Sequence, residues 1–317
     1  MRFDENADLD TSSVDDLRGS GGRGGGGVGG RVAVGGGGLG IIGLILYFVI
    51  SALGGGGTGG GGGFALPSSG LTGLQSGQQA DGSAIAQSCQ TGADANTRLD
   101  CEVVAVVNSL NGYWSDVFAR SGQTYSVPRI NFFSGSVNTG GCGSATSDVG
   151  PFYCPADQEV YIDLSFFEEL ETRFGAQGGP YARAYVIAHE YGHHVQNLLG
   201  TSRRVQAGDS GPTSGSVRLE LQADCYAGAW GNHATQVPTS TGRPLITDVT
   251  QADVAAALDT ASRIGDDYIQ SNLGGGRVNE SQFTHGSSAQ REKWYSTGYQ
   301  SGNPAQCDTF ARGVSLG

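Results

Sequence analysis

The five residues His189-Glu190-Tyr191-Gly192-His193 constrain this chain more than any other feature. They lie within Tyr181 to Leu199, a stretch rich in Ala, Val, Ile and Leu in which only Gly192 is a poor helix former. The stretch starts after Gly178-Gly179-Pro180 and stops at Gly200, as a helix does. On such a helix His189 and His193 stand one turn apart and project from one face. Two imidazoles at that spacing clamp a divalent cation, and Glu190 beside them can act as general base on a water. The competing reading is an amphipathic helix that carries surface histidines. His194 lies about 100° round the helix from His193 and reads as a supporting or structural residue.

A third ligand is expected downstream. The candidate is Glu220, in Val217-Arg218-Leu219-Glu220-Leu221-Gln222-Ala223-Asp224-Cys225. This segment also reads as a helix, with Glu220 and Asp224 one turn apart on one face. Glu220 completes a His-His-Glu site with one position left for water. Asp224 then accepts a hydrogen bond from a ligand histidine and fixes its tautomer. Taken alone, the pair could equally be a solvated helix face.

A further cluster, Thr284-His285-Gly286-Ser287-Ser288-Ala289-Gln290-Arg291, lies near the C-terminus. Hydrolysis of a peptide bond needs a donor for the oxyanion formed on the attacked carbonyl, and His285 could supply it. Arg291 could pair with a buried carboxylate such as Asp224. The alternative is a helix start capped by Ser287 or Ser288, with Arg291 exposed.

Together these residues resemble the putative neutral zinc metallopeptidase family of bacteria, single-pass membrane proteins with a C-terminal peptidase domain. The resemblance rests on Cys142-Gly143, Gly150-Pro151-Phe152-Tyr153-Cys154-Pro155, Val160-Tyr161-Ile162-Asp163, the His189–His193 helix, Arg218 to Cys225, and His285-Gly286 through Arg291 with Trp294. Ser13-Val14-Asp15-Asp16-Leu17-Arg18-Gly19 resembles the family's cytoplasmic leader. The resemblance implies His189, His193 and Glu220 as ligands of a Zn2+ ion, and Glu190 as the catalytic residue. The wider gluzincin group, which includes the CAAX-type membrane proteases, is similar in its HExxH and ExxxD motifs. Its His-Pro-x-x-x-x-Arg motif spaces His and Arg as His285 and Arg291 are spaced here. Gly286 stands where that group has Pro, so the role of His285 is an analogy.

The 317 residues suffice for one sizeable domain with extensions. The formal net charge is −12 and there is no basic patch, which excludes a nucleic-acid partner and leaves a peptide or protein substrate. Glycine is in large excess, with 56 residues, most of the surplus in two runs before Phe64. Those runs carry no phosphate-loop pattern.

Leu39 to Leu53 is the longest apolar stretch. With Val32-Ala33-Val34 and the flanking glycines it approaches the about 20 residues of a spanning helix. The acidic leader before it is too long and wrongly charged for a cleaved signal. Arg18, Arg23 and Arg31 precede the stretch, so the positive-inside rule puts the N-terminus in the cytoplasm and the rest outside. All six cysteines follow it, as a disulfide framework outside the cytoplasm requires. The expected pairing is sequential: Cys89–Cys101, Cys142–Cys154 and Cys225–Cys307. A cysteine-rich zinc site competes with it, but no CxxC spacing supports that.

The expected organisation is a disordered Gly-rich cytoplasmic leader over 1–38, a transmembrane anchor over 39–53, a flexible Gly/Ser linker over 54–83, and a zinc metallopeptidase domain over 84–317. Within the domain, helices are expected over Asp100–Ala119, Ser165–Phe174, Thr250–Ile269 and Ala289–Ser301, and strands over Arg129–Phe133 and Glu159–Leu164. The fold class is α+β: a helix-dominated, zincin-like domain with a small sheet, preceded by one transmembrane helix. Val160 to Asp163 is the candidate edge strand for an incoming peptide, with a plain core strand as the alternative. The expected function is a membrane-anchored, extracytoplasmic zinc metallopeptidase holding one Zn2+ per chain. The rival is a catalytically silent envelope binding or scaffold protein on a peptidase fold.

Overall fold

The structure, a computed structural model, describes residues 1–18, 82–206, 208–238 and 242–317. Strands β1 (Arg2–Phe3) and β2 (Val14–Asp16) come first, followed by helices α1 (Gly82–Ser88), α2 (Gly92–Ala95) and α3 (Leu99–Arg120). Strands β3 (Arg129–Phe133), β4 (Ser136–Asn138), β5 (Ser144–Thr146), β6 (Phe152–Cys154) and β7 (Glu159–Asp163) follow. The rest is helical apart from β8 (Ile246–Asp248): α4 (Phe166–Thr172), α5 (Pro180–Leu198), α6 (Gly215–His233), α7 (Gln251–Arg263), α8 (Asp266–Asn272) and α9 (Ser288–Ser301). The described chain is thus α+β and rich in helix.

The main sheet has the order β2-β3-β7-β6, parallel except for β6. Strand β3 is buried along all but its first residue because both faces of the sheet are covered. Period-two alternation sends Ile130, Phe132, Val160 and Ile162 into the main helical core. It sends Phe133, Phe152 and Tyr161 into a smaller core roofed by the β4–β5 hairpin. The register Ile130↔Val160 and Phe132↔Ile162 keeps the two faces consistent. Strand β7 is therefore interior, flanked by β3 and β6, and is not the edge expected to receive a peptide. The edge strand next to α5 is β6.

Helix α5 is the axis of the domain. Pro180 at its first turn and left-handed Gly200 beyond its end delimit it as the sequence suggests. It is buried nearly all round, packed by α3, α6, α7, β6 and β7. Helix α6 starts at Ser214, whose hydroxyl accepts from the Val217 N–H at 3.2 Å. The helix expected over Thr250–Ile269 is two helices, broken at Ile264-Gly265, and only the first keeps the Thr250/Asp253 capping box.

The N-terminal eighteen residues depart from expectation. Read as part of a disordered leader, they instead form β1, paired with β8, and β2, the parallel edge of the main sheet. Phe3, Ala7, Val14 and Leu17 are buried. Residues 1–18 therefore pack as part of one body with the described residues from 82 onward. The expected anchor at 39–53 lies outside the described residues, as do the rest of the leader and all but the last two residues of the linker. No helix among the described residues is long and apolar enough to cross a membrane.

The three disulfides are Cys89–Cys101, Cys142–Cys154 and Cys225–Cys307, the sequential pairing. The last fastens α6 to the C-terminal segment.

Candidate metal centre

The helix phase of α5 brings Tyr185, Val186, His189 and Glu190 to one cavity, with His193 one turn beyond His189. Helix α6 lies directly opposite. At Gly192 a Cβ would sit 2.8 Å from the Ala223 Cα, so the glycine inside the motif allows this close approach. Glu220 and Asp224, one turn apart on α6, then reach the two histidines.

The atoms His189 Nε2, His193 Nε2 and the Glu220 carboxylate oxygens converge. The two Nε2 atoms are 3.2 Å apart. His189 Nε2 is 3.1 Å from Glu220 Oε2, and His193 Nε2 is 3.4 Å from Glu220 Oε1. Three ligand atoms at tetrahedral zinc bond lengths would stand about 3.3 Å from one another, so this spacing fits the ion.

The tautomers fit as well. His189 Nδ1 lies 2.8 Å from Asp224 Oδ1, and His193 Nδ1 lies 2.9 Å from Gln196 Oε1. Both outer nitrogens face acceptors, so both Nε2 atoms turn lone pairs inward. Two lone pairs aimed at each other are repulsive unless a cation or a proton lies between them. Gln196 is itself held by its amide, which donates to the Leu219 carbonyl at 2.7 Å.

Around this triad lies a buried charge network. Arg291 on α9 forms a two-pronged pair with Asp224, through Nε at 2.9 Å and Nη2 at 2.9 Å. Tyr185 donates to Asp224 Oδ1 at 2.6 Å. Arg291 is therefore buried and paired, while the Ser287/Gln290 capping box also exists at the start of α9. The two readings of this segment are compatible. Burial opposes a charge on His189, but the Asp224 and Glu220 carboxylates overcome it and raise its pKa to about 10. Burial lowers that of His193 to about 4 despite Glu220. Burial would raise Glu220, yet His193 and His189 hold it well below the usual carboxylate range.

Glu190 is buried, and burial raises its pKa to about 8. The backbone N–H of Tyr153 on β6 works in the opposite direction, and Oε2 has no hydrogen-bond partner among the described residues. His285 lines the same cavity as His189, Glu190 and Glu220. Its Nδ1 lies 3.3 Å from Asp266 Oδ1, and its buried Nε2 has no partner among the described residues. Asp266 also builds the turn that presents His285: its Oδ2 accepts from the backbone N–H groups of Thr284, His285 and Gly286 at 2.7, 2.7 and 3.0 Å. Gly286 has φ +92°, which proline cannot adopt, so the departure from His-Pro has a backbone cause.

The structure thus brings together His189, Glu190, His193, Glu220, Asp224, His285 and Arg291. His194 points away from them, to the Tyr153 hydroxyl at 3.1 Å and the Ser126 carbonyl at 2.6 Å, and ties β6 to α5. Sequence reading missed Tyr153, Tyr185, Gln196 and Asp266. Gln196 and Tyr185 were within reach, since each lies one turn from a motif histidine. Asp266 carries no local signal, and Tyr153 acts through its backbone.

Comparison with known proteins agrees with this geometry. A family model described as putative neutral zinc metallopeptidase matches residues 1–310. An uncharacterized protein of Mycobacterium tuberculosis (strain H37Rv) is 50% identical over 224 residues, 70% of this chain and 74% of that protein. The uncharacterized protein YpfJ of Escherichia coli (strain K12) is 38% identical over 311 residues, 96% of this chain and 98% of that protein. No solved structure matches the chain significantly. On the span of that match, the chain belongs to the putative neutral zinc metallopeptidase family.

Proposed function

We propose that this protein hydrolyses peptide bonds, with one zinc ion held by His189, His193 and Glu220. The observation that carries the reading is the convergence of two inward-turned imidazoles and a carboxylate beside a buried base with a free oxygen, Glu190 Oε2. A structural metal site has no use for that base. Zinc bound there would supply Lewis acidity towards water and the scissile carbonyl. Glu190 takes a proton from the attacking water and returns it to the departing amine. His285 Nε2 donates to the oxygen of the attacked carbonyl, steadied through Nδ1 by Asp266. Asp224 and Arg291 hold His189 in its tautomer and join α5, α6 and α9.

Three disulfides favour an oxidising, extracytoplasmic compartment. Attachment to the membrane through residues 39–53 stays part of the proposal, with residues 1–18 and the peptidase domain on one and the same side.

The test separates metal binding from chemistry. Glu190→Gln should keep about one zinc per chain and lose at least about 100-fold in peptidase activity on an unfolded protein substrate. Undiminished activity in this variant would remove Glu190 as the base. A wild-type protein that holds zinc and cuts nothing would point to a binding role.

A further inference from the structure

The cavity has two sides: His189, Glu190, Glu220, His285, Arg291 and Tyr185 form the metal-site end, and apolar side chains wall the rest. Val149 and Pro151 come from the segment before β6, Phe166 and Phe174 from α4 and the loop after it, Val186 from α5 and Ile269 from α8. Val186 lies one turn before Glu190, so the apolar wall begins where the base ends. The segment before β6 is tied down by Cys142–Cys154. Gly150, at φ +73°, lies flat against the Phe166 ring, where a Cβ would meet a ring carbon at 3.0 Å. These walls therefore belong to built structure. None of the six carries a charge, and the mechanism above uses none of them.

We infer that this pocket seats the substrate side chain next to the scissile bond and selects a short branched aliphatic residue: valine, isoleucine or leucine. The inference rests on the peptidase reading, because that reading supplies the scissile bond. Its size argument is direct. The cavity measures about 70 Å³. A dry apolar cavity that accepts benzene measures about 150 Å³, so a phenyl ring is too large while a branch of three or four carbons fits. An acidic side chain would face Glu190 and Glu220, and a basic one would find carboxylates only at the metal-site end and lose its hydration along the apolar wall.

The zinc-loaded protein should be given a peptide library in which one position is varied, and the cut sites read by mass spectrometry. Cuts should fall beside Val, Ile or Leu, with kcat/KM about 10–100-fold above peptides carrying Phe, Asp or Lys at the same position. Phe166 is half-buried, so shortening it removes wall without emptying the core. Phe166→Ala should raise the Phe-to-Leu ratio of kcat/KM at least about 10-fold, and Phe166→Leu should move it the same way by less. Efficient cutting with no preference, or with a preference for Phe or a charge, overturns the pocket assignment and leaves the peptidase reading standing. If no peptide is cut, the peptidase reading fails. The pocket is then judged by calorimetry with the same peptides on the zinc-loaded protein. Tighter binding of the aliphatic series supports it, and equal binding overturns it.

Discussion

His189, Glu190, His193 and Gln196 share one helix, and Glu220 and Asp224 share another. The N-terminal residues find their partners far along the chain: Val14 pairs with Ile130, the Leu17 N–H reaches the Phe132 carbonyl, and Phe3 lies beside Ile246. The metal centre is built from spacings within helices, and only the meeting of α5 with α6 is long-range. The N-terminal strands have no regularity of their own and exist through contacts made elsewhere. Both regions carry acidic residues, but at the metal centre Glu220 and Asp224 are buried and paired, and in residues 1–18 they ring four buried side chains. The difference teaches that acidic composition describes a surface and says little about whether a segment folds.

The largest effect should come from the local side of this contrast. In the variant His189→Ala/His193→Ala, two of the three converging atoms are gone. Zinc measured by mass spectrometry should fall from about one per chain to none, while far-ultraviolet dichroism stays close to wild type. Full zinc retention would sink the ligand assignment.

The next effect tests the long-range side. Burial of Phe3, Val14 and Leu17 contributes about 1.5–3 kcal/mol each. Their sum is comparable with the whole stability of a domain, about 5–15 kcal/mol. Deleting residues 1–18 should therefore lower Tm by more than about 10 °C or leave the protein unfolded. A truncated chain melting within about 3 °C of the full chain would make these strands ornamental. Cysteines placed singly at the exposed Glu5 and Gln300 should also react with an impermeant maleimide from the same side of the cell membrane. Opposite sidedness would contradict the packing of β2 on β3.

How much could be read beforehand follows the same division. The groupings of His189, Glu190 and His193 and of Glu220 with Asp224 were legible because helical spacing places each set on one helix. The pairing of Arg291 with Asp224 crosses between helices and stood beside an exposed Arg291 as an alternative. Strands β3 and β7 were legible from their apolar runs, but their neighbours were not, so edge strand and core strand stayed open alternatives for β7. The break at Ile264-Gly265 was hidden because the apolar pattern continues into α8; what decides it is the turn around Asp266, which the sequence does not mark. Residues 1–18 were illegible because their apolar positions are few and irregular, and the sheet edge that accepts them is defined by residues far away.

A smaller effect bears on the oxyanion donor. His285→Ala should lower kcat by roughly 100-fold with zinc content and KM nearly unchanged, since the lost bond forms mainly in the transition state. Unchanged kinetics would return the segment to a capped helix start.

The smallest effect concerns Asp266, which joins a long-range contact to a local turn. One of its oxygens faces His285 Nδ1 and the other accepts three backbone N–H groups, so Asp266→Asn must weaken one set. If the amide keeps its oxygen on the backbone, its NH2 group turns towards His285 Nδ1. Nδ1 then acts as acceptor and Nε2 keeps its proton, but the ring loses the carboxylate that strengthens Nε2 as a donor and sets its angle. If it turns the other way, the presenting turn loosens. Either outcome should lower kcat about 10-fold and leave zinc content unchanged. The role is positional, so it must vanish when its object is removed. In a double-mutant cycle, Asp266→Asn should cost kcat nothing further once His285 is Ala. Independent, multiplying losses would mean that Asp266 acts on the fold of the turn and not through His285.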